Sequence, residues 1–435
     1  MGDIERLAGV VKSLEDSLAR CVRCGMCRSV CPLFAATGRE IDSARGKLAL
    51  LDGLLKEAFR SPDKVDEHLN RCLLCGSCAV HCPSGVKVLD VFLEARMALA
   101  RCRGLSPLKK VIFRGMLARP ELFDRVTECA ARAQGLFGAR GEESREKSDC
   151  VSPAFSMLGL PPLAASSLHK RISRFSTEPG VLVSETRVAF FPGCLIDKSL
   201  PGIGEATLRS LKHHGVEAVI PDALGCCGIP AAASGDGETF DALVRRNLEM
   251  LSAAPFDYVI TACATCAFTM RKLWPALAKG LSAAEKARAV EIAGRTVDIS
   301  EFLVNRGFIA GPPQHGRNHG TEIIATYHDP CHLKKSLGIS SEPRRLIAAS
   351  ASHILREMED ADACCGCGGS FAFQHPELAA AAGERKRTNI AQTGCSVVAT
   401  SCPACILHIS NMLSRAGDRI QVRHVIELYA ETLRD

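Results

Sequence analysis

The sequence is poor in aromatic residues, with one tryptophan, three tyrosines and 5% aromatic content overall. Proteins that hold single-stranded nucleic acid stack its bases on aromatic side chains. The net charge of +6 over 435 residues is modest and adds no strong electrostatic signal for a polyanion. We therefore expect no nucleic-acid partner.

Long apolar runs are also missing. No stretch reaches the roughly 18–20 apolar residues that a membrane-spanning helix needs. The first residues, MGDIERLAGVVKSLEDSL, have neither the basic start nor the apolar core of a signal peptide. These absences predict a cytoplasmic protein that associates at most peripherally with the inner face of the cell membrane. Thiols stay reduced there, so clustered cysteines indicate metal or redox chemistry.

Cysteine is abundant, with 23 residues, and two N-terminal runs share the spacing C-x2-C-x2-C-x3-C-P. Bacterial ferredoxins bind [4Fe–4S] clusters with this run, and in two-cluster proteins the fourth cysteine ligates the other cluster. Zinc is the alternative, although zinc sites favour pairs of cysteines. The predicted ligands are Cys21, Cys24, Cys27 and Cys82 for cluster one, and Cys72, Cys75, Cys78 and Cys31 for cluster two.

The 40 residues between Cys31 and Cys72 exceed the spacer of a small two-cluster ferredoxin. Apolar residues at helical spacing and good helix formers predict a helix over Ser43 to Phe59. We therefore interpret residues 1–100 as a helical ferredoxin domain with two [4Fe–4S] clusters.

Residues 101–186 carry no ligand pattern and form a basic helical segment and linker. Lys109, Lys110 and Arg114 stand among apolar residues, as in helices that lie on anionic membrane surfaces. We favour a helix that packs on the protein or on a partner subunit. The composition of residues 138–162 indicates a linker. The isolated cysteines of this segment are interpreted as buried or spare thiols: Cys102, Cys129 and Cys150.

From Arg187 the chain repeats itself. Each copy has one cysteine, an adjacent pair followed by glycine, and a C-x2-C pair, and the copies are offset by 137 to 139 residues. Five cysteines that recur in order with so little drift indicate a duplication, with repeats over residues 187–315 and 316–435. The candidate metal ligands are Cys194, Cys226, Cys227, Cys263 and Cys266 in repeat one, and Cys331, Cys364, Cys365, Cys402 and Cys405 in repeat two.

Each cysteine group follows an apolar, strand-like run, and helical stretches alternate with these runs. Such alternation predicts an α/β fold with parallel sheets, whose ligands bind beyond the carboxyl ends of the strands. Five thiolates exceed the needs of one zinc ion or one ordinary cubane. A multi-iron cluster accounts for the excess, because adjacent cysteines can bind different irons. Gly228 and Gly366 would let the backbone turn tightly around it.

Two ferredoxin runs followed by two five-cysteine (CCG) repeats resemble the iron–sulfur subunit of glycolate oxidase and of related lactate-oxidising systems. The segments RCVRCGMCRSVCP, HLNRCLLCGSCAVHCPSGV and VRHVIELY carry this resemblance especially. The layout is also similar to the D subunit of heterodisulfide reductase. Both C-x2-C pairs are intact here, whereas glycolate oxidase subunits often lack part of the last pair.

The resemblance implies two cubane clusters in the ferredoxin domain and two further, non-cubane [4Fe–4S] clusters on the ten cysteines of the repeats. Some five-cysteine repeats of the wider family bind zinc, so zinc stays open at each repeat. His328 and Asp329 stand next to Cys331. They could tune or protonate a cluster, although we favour hydrogen-bonded turn residues.

A site for hydride chemistry is not visible in the sequence. The segments at Gly202 and Gly235 each miss the third glycine of a dinucleotide fingerprint. Hydride transfer usually needs a flavin or nicotinamide, so we expect an FAD-binding partner subunit that oxidises lactate or glycolate. The chain would relay electrons from that partner to quinone or another acceptor. Reduction of a disulfide at a non-cubane cluster is the alternative, followed by a zinc-and-iron scaffold without activity.

Overall fold

The computed structural model describes residues 14–56, 58, 62–137, 163–172, 186–221, 224–309, 322–350 and 352–433. Cys150 and the predicted linker over residues 138–162 lie outside these ranges. No helix within the ranges combines the length and the hydropathy that crossing a bilayer requires.

The N-terminal part is helical, as predicted. The helix expected between the two cysteine runs begins at Ala44, because the Ser43 hydroxyl accepts the Gly46 amide at 3.1 Å. It ends at Leu55 and buries Leu48 and Leu51 against the other helices of this part. The helices up to residue 103 are Glu15–Ala19, Met26–Ser29, Pro32–Thr37, Ala44–Leu55, Pro62–Asn70, Ser77–Val80 and Val88–Arg103, with a 3-10 turn at Glu40–Asp42.

The basic segment is helical and packs on the protein through one face. It comprises Pro107–Lys110, a π-helical stretch Val111–Leu117, and Pro120–Phe137. Phe113 and Leu117 are buried, whereas Leu108 is 69% exposed. Packing on the protein, which the sequence favoured, therefore holds for one face of this segment.

Two four-stranded sheets follow, and every strand pair in them is parallel. The strand orders are β2-β1-β3-β4 and β6-β5-β7-β8, so the two sheets share one topology. The six apolar runs predicted as strands are confirmed. The strands are β1 Arg187–Phe190, β2 Glu217–Val219, β3 Tyr258–Thr261, β4 Thr296–Asp298, β5 Ile323–His328, β6 His353–Leu355, β7 Val397–Thr400 and β8 Gln421–His424.

Helices connect the parallel strands and cover both sheets. The short helix Leu168–Arg171 precedes repeat one. In repeat one the longer helices are Pro201–His213, Gly237–Leu251 and Ala283–Arg295, with shorter pieces at Gly193–Lys198, Ile229–Ala233, Ala264–Phe268, Thr269–Leu273, Trp274–Leu277 and Ile299–Asn305. In repeat two they are Cys331–Leu337, Ser341–Ala349, Phe371–Gln374, Pro376–Gln392, Pro403–Ala416 and Val425–Ala430. The predicted α/β class is therefore confirmed.

Apolar packing and specific hydrogen bonds hold the three parts together. The Ala264 amide donates to the Ser401 carbonyl at 3.0 Å, which joins the two sheets beside their cysteines. The buried Arg96 guanidinium donates to the Cys72 carbonyl at 3.1 Å and to the Ala233 carbonyl at 2.7 Å. The same guanidinium donates to the Leu69 carbonyl at 2.6 Å, so one buried cation ties the ferredoxin part to repeat one.

Candidate metal centres

The first candidate centre is a small cavity, open to solvent, at the surface of the ferredoxin part. Its lining includes the four cysteines predicted for cluster one. Three of them come from the first run, and Cys82 comes from the second run. Cys24 is exposed, and the neighbouring Val22 and Met26 are 69% and 53% exposed. Four sulfurs around one cavity fit the ligand set of a [4Fe–4S] cluster.

The second candidate centre lies deeper. Cys75 is buried, and the charges of Cys72 and Cys75 act on the Cys31 thiol. Burial, opposed by backbone hydrogen bonds and reinforced by those two neighbours, raises the pKa of Cys31 to about 11. Cys78 lines the first cavity as well, so the two centres share a wall. The structure therefore brings Cys31 to the second run, as cross-ligation requires.

Both runs hold the same uncommon backbone. Arg23 and Leu74, each just before the second cysteine of its run, have φ of 56° and 53°. Such left-handed geometry costs a non-glycine residue about 1–2 kcal/mol. Gly25 and Gly76 follow with φ of 88° and 74°. Strain repeated at equivalent positions is characteristic of a functional loop, here the loop that wraps three sulfurs around one face of a cluster.

The five cysteines of repeat one form a continuous series of contacts. The sulfurs of Cys194 and Cys226 are 3.7 Å apart, Cys226 hydrogen-bonds Cys227, Cys227 hydrogen-bonds Cys266, and Cys266 hydrogen-bonds Cys263. Apart from Cys194 they are at most 6% exposed. All five follow the carboxyl ends of β1, β2 and β3, where ligands bind to parallel sheets.

Repeat two reproduces this series in the same order. Cys331 hydrogen-bonds Cys364, Cys364 hydrogen-bonds Cys365, the Cys365 and Cys405 sulfurs are 3.4 Å apart, and Cys405 hydrogen-bonds Cys402. Two sulfurs bound at 2.3 Å to one tetrahedral metal stand about 3.8 Å apart. The observed spacings are therefore close to those of sulfurs that share a metal.

The second cysteine of each adjacent pair has a lowered pKa, and in repeat two hydrogen bonds with Cys263 and Cys405 also lower the pKa of Cys402. Hydrogen bonds from Cys226 and Cys266 lower the pKa of Cys227 well below its ordinary value. Hydrogen bonds from Cys364 and Cys405 do the same for Cys365. Metal ligation requires the thiolate, so both repeats favour the ligating form at the same position.

A glycine in left-handed conformation follows each adjacent pair, with φ of 97° at Gly228 and 94° at Gly366. A β-carbon at Gly228 would come within 2.7 Å of the Phe240 ring, and one at Gly366 would overlap the Ala379 carbonyl. The turn at the adjacent cysteines thus explains each glycine, as expected from the sequence. Close packing of the following helix is a second reason that only the structure reveals.

Alanine at Gly366 is expected to lower the free energy of unfolding of the metal-loaded protein by about 2–5 kcal/mol. Left-handed strain contributes about 1–2 kcal/mol and overpacking against Ala379 about 1–3 kcal/mol. Gly338 is the matched control, because its φ is 76° and no atom lies within 4 Å of a β-carbon there. Denaturant unfolding should show the smaller loss for Gly338→Ala, and equal losses would contradict the packing argument.

Several residues that hold these centres escaped the sequence analysis. The Asn247 side chain donates to the Cys226 carbonyl and the Trp274 indole to the Cys227 carbonyl, both at 2.9 Å. In repeat two the buried Lys386 ammonium donates to the carbonyls of Asp360 and Ala361 at 2.6 and 3.1 Å.

Buried cations accompany the thiols. Lys47 is 1% exposed, and the charges of Cys72 and Cys31 act on its ammonium group. Lys386 is also 1% exposed; burial lowers its pKa to about 8, and Cys365 and Cys364 oppose that shift. Cations in a dry interior stabilise the thiolates and the negative charge of a reduced cluster.

The surroundings of Cys367 distinguish it from the candidate ligands. Cys367 has no hydrogen bond to another cysteine, whereas Cys364 joins the series, so the geometry groups Cys364 with the candidate ligands.

Asp329 is buried and ion-paired with Arg344 at 2.8 Å, as expected of a hydrogen-bonded turn residue. That interpretation is wrong for His328, which ends β5 and has no hydrogen-bond partner on either ring nitrogen. Cys129 is exposed, consistent with a spare thiol.

The candidate centres touch one another in a line. Burial and a hydrogen bond to Cys364 raise the pKa of Cys75, so cluster two meets repeat two at these thiols. Cys263 of repeat one hydrogen-bonds Cys402 of repeat two. Leu33, Leu73 and Phe371 pack around the first of these contacts and keep it dry. Four sites therefore follow one another as cluster one, cluster two, repeat two and repeat one.

Comparisons with known proteins agree with this architecture. A family model described as a 4Fe-4S dicluster domain matches residues 17–86, and a cysteine-rich domain model, CCG, matches residues 188–271 and 325–410. One of the subunits of the fumarate reductase (CoM/CoB) of Methanothermobacter marburgensis is 30% identical over 94% of this chain and 71% of its own length. The chain belongs to the family of iron–sulfur proteins with a dicluster domain and paired CCG domains.

Other members carry the names that the sequence resemblance implied. The probable glycolate oxidase iron–sulfur subunit of Bacillus subtilis is 28% identical over 96% of this chain and 94% of its own length. Lactate utilization protein A of an Exiguobacterium species is 29% identical over 56% of this chain and 97% of its own. Like the glycolate oxidase subunits, this chain is an iron–sulfur protein with an electron-transfer role.

Proposed function

We propose that the chain is the electron-relay subunit of a flavin-dependent 2-hydroxy-acid dehydrogenase that acts on lactate or glycolate. The observation that carries the proposal is the unbroken line of four thiol sites, which joins an exposed cavity to a buried duplicated domain. Relatives named for glycolate oxidase and for lactate utilization support the substrate class. A partner FAD protein would take the hydride and pass single electrons to this chain.

The cofactors proposed for the line are two cubane [4Fe–4S] clusters in the ferredoxin part and two non-cubane [4Fe–4S] clusters in the repeats. Iron–sulfur clusters supply reversible one-electron transfer when bound. Electrons would then cross from the ferredoxin part to repeat two where Cys75 meets Cys364, and on to repeat one where Cys402 meets Cys263. The buried position of both contacts limits reorganisation of water during each transfer.

His332 holds the crossing point in place. Its ring nitrogens lie 3.1 Å from the Leu74 carbonyl oxygen and 3.1 Å from the Thr265 hydroxyl, and the ring stacks on Phe268 at 4.6 Å. One side chain of repeat two thus contacts both the ferredoxin part and repeat one. We assign it a positioning role between the three parts of the relay.

The cofactor proposal is tested by anaerobic purification of the full chain with iron, sulfide, zinc and flavin quantified. Four [4Fe–4S] clusters correspond to about 16 iron atoms per chain. Eight irons with two zincs would overturn the double cluster in the repeats. A single chain that binds FAD and oxidises lactate or glycolate by itself would overturn the need for a partner.

Electrons should enter or leave through the exposed rim of cluster one. Val22→Glu is expected to reduce electron exchange with the flavin partner about tenfold or more, because a charge buried at a docking contact costs several kcal/mol. Iron content should not change. Val290→Glu is the control, since Val290 is 59% exposed on the helix Ala283–Arg295. Stopped-flow reduction by the partner measures the rate of electron exchange in both variants. Equal rates would contradict the proposal that electrons pass through the rim of cluster one.

Disulfide reduction is a second candidate function, favoured by the contact between Cys263 and Cys402. Cleavage of a disulfide consumes two electrons and two protons and releases two thiols, and two adjacent one-electron sites can supply that pair of electrons. Both C-x2-C pairs needed for two complete sites are present. Thiol–disulfide turnover by the reduced chain, without the flavin partner, would establish this function in place of the relay.

A further inference from the structure

An imidazole without a hydrogen-bond partner lies inside repeat two. His328 is the last residue of β5 and is 0% exposed, and neither of its ring nitrogens has a partner among the residues that the structure describes. An unsatisfied polar group in a dry interior costs about 1–3 kcal/mol. Such a group calls for an explanation, and a metal ion or cluster is one of the few that fit.

The ring lies against two of the candidate ligands. A ring nitrogen of His328 and the sulfurs of Cys365 and Cys405 all lie within 4.8 Å of one another. Metals bound by cysteine and histidine stand about 2.3 Å from sulfur and 2.0–2.1 Å from nitrogen. One tetrahedral metal atom can therefore reach all three donors after only small side-chain shifts.

The other neighbours of the His328 ring do not prevent it from binding a metal. The Ala361 carbonyl lies near the ring, where it favours the charged form. This carbonyl accepts a hydrogen bond from the Asp329 amide at 3.0 Å, and it makes no regular hydrogen bond to the imidazole. The ring is 0% exposed, and burial favours the neutral imidazole, which is the form that ligates metals.

Repeat one has no such donor. The position equivalent to His328 by the 137-residue offset is Phe191, which is also 0% exposed. Its ring packs edge-on against Trp274, with centroids 6.4 Å apart. The two repeats share five cysteines but have phenylalanine and histidine at this buried position, so the duplicated sites are chemically unequal.

We propose that His328 is a nitrogen ligand of the iron that Cys365 and Cys405 hold in repeat two. The inference rests on the proposed cluster of that repeat and deepens it, because it makes the centre of repeat two a mixed cysteine–histidine site. The centre of repeat one keeps cysteine ligands alone. A neutral nitrogen donor adds a ligand without adding negative charge, and it separates the electronic properties of two neighbouring centres.

The test is pulsed EPR on the reduced full chain, prepared with 15N-labelled histidine. The expected result is a strong nitrogen coupling, of the kind given by a directly bound imidazole, in the wild-type protein. His328→Phe should lose this coupling, and phenylalanine is the residue that repeat one accommodates at the same place. His328→Gln keeps a polar side chain and should lose the nitrogen coupling as well. This second variant provides the test if His328→Phe does not fold.

The matched control is His408→Gln. His408 is a second partly buried histidine with an unpartnered ring nitrogen, and its coupling should not contribute. If wild-type protein with about 16 irons gives no strong nitrogen coupling, or if the coupling persists in His328→Phe, the ligand assignment is wrong and the cluster proposal stands. If repeat two holds no iron, both the assignment and the four-cluster proposal are overturned.

Discussion

Serine at Cys364 is expected to remove or convert the centre of repeat two and to lower electron throughput at least about 100-fold. Changes in the hydrogen-bonded surroundings of a metal ligand already cost 10–100-fold, and the loss of a ligand costs more. Cys364 also contacts Cys75 of the ferredoxin part, so the substitution interrupts the line of sites at its narrowest point. Iron quantification, EPR and turnover with the flavin partner measure the effect.

Cys367→Ser is the matched control, two residues away in the same loop. Repeat one has Ile229 at the equivalent position, and Cys367 makes no hydrogen bond to another cysteine. Iron content and the EPR spectrum should stay nearly unchanged. The competing arrangement is a C-x-C pair in which Cys367 replaces Cys364. Loss of iron in Cys367→Ser, with Cys364→Ser unaffected, would establish that arrangement.

Serine at Cys82 is expected to deplete cluster one, although Cys82 belongs to the second cysteine run. The reason is that Cys82 lines the same cavity as Cys21, Cys24 and Cys27. Serine at Cys31 should conversely deplete cluster two. Each variant should lose up to about four irons per chain, or show the EPR signal of a three-iron cluster.

Magnetic coupling distinguishes the two variants. Cluster two adjoins repeat two through Cys75 and Cys364, so Cys31→Ser should abolish the spin coupling between these sites, and Cys82→Ser should preserve it. Cys129→Ser is the control, because Cys129 is exposed on the helix Pro120–Phe137 and should not affect iron content. The reverse pattern, with coupling lost only in Cys82→Ser, would mean that each run ligates its own cluster.

Burial of the inner sites also limits the loss of electrons to oxidants in the solvent. Cys226, Cys227, Cys364 and Cys365 are at most 8% exposed, whereas Cys24 at the other end of the line is exposed. Buried cations stand beside the inner sites, where Lys47 faces Cys72 and Cys31. The exposed end of the line favours exchange with partners there, and the cations help to hold electrons on the inner sites.

The sequence by itself determined most of the chemistry. Ligand spacing is a local property, so the two ferredoxin runs and the five-cysteine repeats were readable without a structure. The six apolar strands were also predictable, because burial on both faces requires continuous apolar runs. Strands β4 and β8 were missed, since TVD and QVRH carry polar side chains and gain their place only through pairing with β3 and β7.

Only the tertiary structure decided how the sites relate to one another. The contacts between Cys75 and Cys364 and between Cys263 and Cys402 join residues 289 and 139 positions apart, and no local pattern encodes such pairs. The same holds for His328, which looked like a turn residue beside Asp329. Its burial against Cys365 and Cys405 arises because parallel strands bring their carboxyl ends to one edge of the sheet. Spacing thus predicts which residues can hold metal, and packing decides which centres are neighbours.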